Sequence, residues 1–381
     1  MNEIYLDHAA TSPMHPQVIQ VMTEVMSEVF GNPSSIHQLG RHARKYLDDA
    51  RHVIATSIQA KDNEIIFTGG GSEADNLAIR GTAYAKKAQG RHIITTAIEH
   101  HAVLHPCEQL ETEGFEVTYL PVNEQGVVSV ADVEQALRED TILVTIMAGN
   151  NEVGSIQPIA EIGALLTEHQ ATFHTDAVQA FGLEKINVDE LKVDLLSASA
   201  HKLNGPKGVG FLYQREQTPL QPLILGGEQE RKRRAGTENI PGIVGFAKAV
   251  EIAQATMDEK RIQLKKYQQI IVDTFTASGI HFKVNGQVEN GLPHVLNISF
   301  AGMDVESFLV NLDMAGVAVS SGSACTAGSI DPSHVLVAMF GKGSAELRNS
   351  IRFSFGYGLT DDTVAEAAKR TVDIVQRLAN V

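Results

Sequence analysis

Lys202 closes the run Asp194-Leu195-Leu196-Ser197-Ala198-Ser199-Ala200-His201-Lys202, an apolar stretch that ends in hydroxyls, an imidazole and an amine. A primary amine is a nucleophile only once it has lost its proton, and partial desolvation beside a second potential cation moves a lysine in that direction. Such an amine can form a Schiff base, so this strand end suits a carbonyl cofactor. A lone lysine at a strand end is more often a plain surface group, and the other polar clusters of the chain must decide.

Gly69-Gly70-Gly71-Ser72-Glu73 precedes a helical pattern. Glycines let backbone amides approach an anion, and a helix N-terminus favours negative charge, so the run suits a phosphate. It lacks the spacing of a dinucleotide fingerprint or a P-loop, and a structural turn with Ser72 as N-cap fits equally well. Asp176, after Thr172-Phe173-His174-Thr175, reads either as a helix cap or as the carboxylate that keeps a pyridine nitrogen protonated. His100, rather than the adjacent His101, is expected to stack on a cofactor ring and move protons. Asn151 and Gln179 are candidates for hydrogen bonds to ring oxygen or substrate, or simple turn formers.

Two cysteines, Cys107 and Cys325, are too few for a disulfide framework and lack zinc-site spacing. The segment Ser320 to Ser329 is rich in Ser, Gly, Ala and Thr, which suits an exposed loop and a reactive thiol at Cys325. Cys107 lies in the helical stretch His105-Pro106-Cys107-Glu108-Gln109-Leu110 and reads as structural.

These groups need elements to carry them. Short β-branched runs, Glu64 to Thr68, His92 to Thr96, Thr141 to Ile146 and Ala171 to Thr175, each end in polar or glycine residues and lead into helical sequence. That alternation predicts an α/β fold whose strand ends converge on one crevice. A large domain is expected over 15–255 and a smaller C-terminal α/β domain over 256–381, with a charged helix starting at Met257. The N-terminal segment 1–14 is expected to join the small domain. With 381 residues and a formal net charge of −15, the chain is long enough for a sizeable core, and broad nucleic-acid or anionic-membrane binding is disfavoured. No apolar run reaches membrane-span length and no leader pattern opens the chain, so a cytoplasmic protein is expected.

The ordered motifs Tyr5-Leu6-Asp7-His8-Ala9-Ala10-Thr11, Gly31-Asn32-Pro33-Ser34-Ser35, Glu73-Ala74-Asp75-Asn76, Gly149-Asn150-Asn151-Glu152, Ser199-Ala200-His201-Lys202, Gly205-Pro206-Lys207-Gly208 and Ser320-Ser321-Gly322-Ser323-Ala324-Cys325 together resemble the class V aminotransferase family. Within it the closer similarity is to cysteine desulfurases of the NifS/IscS type. The resemblance spans almost the whole chain. It implies a pyridoxal-phosphate aminotransferase-like, fold type I large domain with a mainly parallel sheet, and pyridoxal 5'-phosphate as cofactor. It implies Schiff-base formation at Lys202, pairing of Asp176 with the pyridine nitrogen, contact of Gln179 with the ring hydroxyl and stacking by His100.

By the same resemblance Gly71, Ser72, Ser199 and His201 hold the phosphate, and Thr237 reaches the partner subunit's cofactor in a homodimer. Asn151 and Arg352 orient the substrate carboxylate, with Arg348 a nearby competitor. Ser72 stands where the family commonly has threonine, and the third glycine, Gly71, is a further departure. The implied reaction converts L-cysteine to L-alanine and leaves a persulfide on Cys325, with no metal required. The long stretch from Cys325 to Met339 resembles desulfurases that serve a sulfur acceptor such as a cluster scaffold or a tRNA-thiolating enzyme. The basic run Arg231-Lys232-Arg233-Arg234 is expected in a dimer loop, or else at a docking site. Selenocysteine lyase, another class V lyase, or a non-catalytic sulfur-relay scaffold are the competing readings.

Overall fold

In the computed structural model, which describes residues 3–287, 289–321 and 332–379, the β-branched runs form one sheet. Among the described residues its strand order is Ile65–Thr68, Gly210–Gln214, Leu195–Ser199, Thr172–Asp176, Thr141–Thr145, His92–Thr96, Glu116–Leu120. The last five pair in parallel, while Gly210–Gln214 runs antiparallel to both of its neighbours. Two reversals return Ile65–Thr68 to the direction of the parallel strands, so its end and theirs open on the same edge. Ile65–Thr68 and the interior parallel strands are buried at every position, as expected of a sheet covered by helices on both faces.

A second sheet carries the strands Ser350–Ser354, Val295–Phe300 and Phe282–Asn285 in antiparallel order. It packs over its own core, which includes Leu264, Tyr267, Phe275, Phe300, Phe308 and Phe353. The chain start belongs here: Ile4–Tyr5 pairs in parallel with Val317–Ala318, and Ile4 and Leu6 are buried in this core. The chain then crosses to the larger unit, where Ser12 N donates to the His201 carbonyl at 3.0 Å.

One helix, Ile240–Ser278, serves both cores. Ile243, Phe246 and Val250 enter the first, and Leu264, Ile271 and Phe275 the second. The helix expected to start at Met257 therefore begins 17 residues earlier, with Pro241 in its first turn and the Asn239 side chain accepting from Gly242 N. The small residues before Met257 form helix because they pack closely: a Cβ on Gly245 would lie 2.6 Å from Met22. Among the described residues, no helix is long and apolar enough to cross a membrane.

Candidate active site

The common strand edge opens on a cavity of about 410 Å³. Gly71, Ser72, His100, Asn151, Asp176, Gln179, Ser199, His201, Lys202 and Arg352 all line it, so ten of the twelve expected residues meet there. Thr237 does not; it is exposed on a loop of its own chain. Cys325 lies outside the described residues.

Of the expected residues that meet at the cavity, all but Arg352, which lies in mid-strand, come from or just beyond strand ends. Lys202 follows Leu195–Ser199 in a single 3-10 turn, and its Nζ donates to the carbonyls of Ala9 (2.5 Å) and Ala10 (2.8 Å). Burial first, and the nearby Arg352 charge second, bring its pKa down to about 8. The amine is thus poised to lose its proton near neutral pH, which the apolar strand alone could only suggest.

Asp176 is the last residue of its strand and is 5% exposed. One oxygen accepts from Val178 N at 2.9 Å. Burial pushes its pKa up to about 6, opposed by that hydrogen bond and by Lys202. Asp75, one helical turn after Gly71, is fully buried beside it, and its pKa is raised well above the usual range by burial and then by the Asp176 charge. Of the two carboxyls, Asp176 ionises first because the Val178 amide and then Lys202 stabilise its charge. Behind them His174 hydrogen-bonds Thr145 (2.8 Å) and Ser197 (3.0 Å) and stays neutral, burial holding its pKa at about 3.

His100 caps the helix His101–Thr112, its Nδ1 accepting from Ala102 N at 3.0 Å. Its accessible surface borders the cavity, while surrounding protein and the charge of Lys202 lower its pKa to about 4. His101 is turned elsewhere, stacked on His105 at 4.8 Å and beside His334 at 4.7 Å. The loop behind His100 is braced by the buried Glu99, which accepts from Thr96 Oγ1 at 2.6 Å and from Met147 N at 3.0 and 3.1 Å.

At the opposite wall Arg352 is 4% exposed. Its guanidinium donates to Asp7 Oδ1 at 2.7 Å and to the Asn151 carbonyl at 2.9 Å, and its Nε has no hydrogen-bond partner. A planar cation with donors to spare suits a carboxylate. Gly71 opens the helix Gly71–Lys86, and a Cβ there would lie 2.8 Å from Val178 Cγ2. The third glycine therefore lets the helix start pack closely against Val178. Ser72 and His201 flank Gly71, His201 bonded to Thr11 Oγ1 at 3.1 Å.

Sequence reasoning missed Asp75, Asp7, Ala9 and Ala10 as contributors. Asp75 was findable, since it shares a helix face with Gly71 four residues earlier. Carbonyl acceptors carry no side-chain signal. The basic run is largely consumed within the chain: Arg234 pairs with Glu73 at 2.7 Å, Lys232 with Glu228 at 2.9 Å, and Arg233 donates to Gln214 and to backbone carbonyls. Cys107 sits in the apolar cluster of Ile79, Val103 and Leu110, where burial pushes its thiol pKa far up.

The sequence model described as Aminotransferase class-V matches residues 4–366. The chain belongs to the class V aminotransferase family. It is 61% identical over 378 residues to "Putative cysteine desulfurase IscS 1" of Bacillus subtilis (strain 168), covering 99% of this chain and 100% of that protein. It is 48% identical to "Cysteine desulfurase IscS" of Dictyoglomus turgidum, with 99% and 94% covered. A solved structure titled "NIFS-LIKE PROTEIN" superposes with a TM-score of 0.92 at 35% identity, covering 98% of this chain and 100% of that one. Class V aminotransferases are pyridoxal-phosphate-dependent enzymes, and this chain is one of them.

The cavity fits that cofactor on its own terms. A buried carboxyl with one hydrogen bond, Asp176, faces a space able to take a cationic ring nitrogen, and the fully buried Asp75 Oδ1 beside it has no hydrogen-bond partner. A helix N-terminus without a side chain at Gly71 faces the same space and suits a phosphate, and Lys202 lines the same cavity.

Proposed function

We propose that this chain is a cysteine desulfurase that converts L-cysteine to L-alanine and stores the released sulfur as a persulfide on Cys325. The observation that carries the reading is the convergence of Lys202, Asp176, Gln179, His100 and Arg352 on one cavity, and whole-length similarity to proteins named cysteine desulfurase supports it. When bound, pyridoxal phosphate supplies an electron sink for the bonds at the substrate's Cα. The protein's own groups do the rest.

Lys202 would anchor the cofactor and then move the substrate's Cα proton. Asp176, once ionised, would pair with the ring nitrogen and hold a proton there. Gln179 would contact the ring hydroxyl, His100 would cover the ring, and Gly71, Ser72, Ser199 and His201 would hold the phosphate. Arg352 takes the substrate carboxylate, with Asn151 alongside. The Cys325 thiolate attacks the substrate sulfur: a sulfur–sulfur bond forms, the Cβ–sulfur bond breaks, and Cβ gains a proton to become the alanine methyl.

The persulfide then passes to an acceptor in iron–sulfur cluster assembly or tRNA thiolation, in a reducing cytoplasm where free thiols persist. We place the division between the two domains near residue 256, supported by the change of core along Ile240–Ser278. Thr237 serves the cofactor of a second subunit. That reading is supported by its exposure and by the tether of its loop to the helix start through Arg234 and Glu73. The exposed Ile36 and Leu225, 90% and 82% accessible, add apolar surface for a subunit contact.

The test adds L-cysteine to purified wild type and Cys325→Ser, scoring alanine, protein-bound persulfide and visible absorbance. Alanine and persulfide from wild type, with absorbance retained and persulfide lost in the variant, are expected. Normal sulfur release by Cys325→Ser would refute the mechanism.

A further inference from the structure

Gln179 is held from two sides. Its Nε2 donates to the Ala9 carbonyl at 3.0 Å, and its Oε1 accepts from His294 Nε2 at 2.8 Å. An amide nitrogen only donates and its oxygen only accepts, so the first bond dictates the second: His294 carries its proton on Nε2. The Nδ1 of His294 is left as a buried lone pair without a hydrogen-bond partner. With Oε1 engaged by His294 and Nε2 by Ala9, the amide is fixed in one orientation and its second N–H is left for a ligand in the cavity that Gln179 lines.

The contact also joins the two units. His294 is 6% exposed in the turn that leads into Val295–Phe300 of the small sheet, and its carbonyl accepts from Phe355 N at 2.9 Å. Gln179 follows Thr172–Asp176 of the large sheet. The Ala9 carbonyl accepts from both Gln179 and Lys202, so the orientation of this amide is tied to the amine itself.

We propose that His294 is a positioning residue for the cofactor: as a neutral Nε2–H donor it locks the Gln179 amide so that N–H, and not a carbonyl oxygen, is offered to the ring hydroxyl. The proposal rests on the reading that Gln179 contacts that hydroxyl. An ionised ring oxygen is stabilised by a donor and repelled by a carbonyl, so the lock favours the ionised form. His294 itself does not titrate at working pH. Lys260, Lys202, Arg352 and His8 all oppose a charge on it, after burial, which holds its pKa at about 3. Its role is therefore donation and not proton transfer.

The test has two readouts. In the cofactor-free protein, 15N NMR of labelled histidine should show His294 as the Nε2–H tautomer, unchanged from pH 6 to 8, with the signal moving in Gln179→Leu. In the protein loaded with pyridoxal phosphate, His294→Leu should weaken cofactor binding about tenfold and raise the pH midpoint of the visible absorbance change by about one unit. His294→Gln, which keeps a donor, should restore most of both. An Nδ1–H tautomer in the wild type overturns the proposal. So does a His294→Leu protein that matches wild type in both spectral measurements, or a His294→Gln protein that behaves like His294→Leu. A wild type that takes up no pyridoxal phosphate sinks the functional reading instead, and the tautomer result still stands by itself.

Discussion

The large sheet brings Lys202, Asp176, His100 and Asn151 to the cavity from or just beyond strand ends, whereas the small sheet brings Arg352 from the middle of Ser350–Ser354. At the ends of parallel strands the backbone stops pairing, and polar side chains collect there without interrupting the sheet. In the middle of an antiparallel strand a buried arginine needs its own partners, and Asp7 and the Asn151 carbonyl supply them. One wall is thus set by topology, the other by pairing. Substitutions should expose the difference: on the first wall they remove chemistry, on the second they loosen substrate binding.

The largest effect is expected at Lys202. Lys202→Ala should lose cofactor-dependent visible absorbance and reduce alanine formation about a thousandfold or more, measured by spectrum and by amino-acid analysis with L-cysteine. A variant that keeps both would break the assignment of chemistry to the large-sheet wall.

On the other wall Arg352→Lys should raise KM for L-cysteine about 10-fold to 50-fold with a smaller change in kcat, because an ammonium cannot reproduce the planar fork. Arg348→Lys should leave KM unchanged. Steady-state kinetics of the pair separates them, and the reverse result would move the carboxylate contact to Arg348.

A pH profile distinguishes the walls without mutation. Lys202 is lowered to about 8 by burial, and the neutral amine is the form that reacts with an aldehyde. The rate of reconstitution of cofactor-free protein with pyridoxal phosphate should therefore rise with pH and level off above about 8, falling about tenfold per unit on the acid side. A flat profile from pH 6 to 9 would mean that the amine is already neutral throughout.

The smallest effect is expected from Gly71→Ala. The added methyl meets Val178 Cγ2 at 2.8 Å, a side-chain end that can shift, so cofactor retention should fall about threefold to tenfold. Dialysis followed by absorbance measures it. No change would show that this contact has slack.

Much of this molecule was readable residue by residue. The alternation of β-branched runs with helical patterns determined an α/β sheet, because short continuous apolar runs, buried on both faces, and 3.6-period helical stripes leave different marks on sequence. Polar residues after those runs determined which positions meet, because strand ends of a parallel sheet open on one side. The motif order, from Asp7 to Cys325, pointed to the family.

Tertiary structure alone decided the rest. The helix Ile240–Ser278 crosses from one core to the other without a sequence break, since each half is helical for a different packing partner. The pKa values of Lys202 and Asp176 depend on burial, which no local motif states. The Ala9 and Ala10 carbonyls that hold the amine, and the His294 ring that orients Gln179 across 115 positions of chain, carry no pattern of their own. Backbone acceptors and long-range donors come into being only when the chain closes, and that is why sequence named the reactive groups and the fold chose their partners.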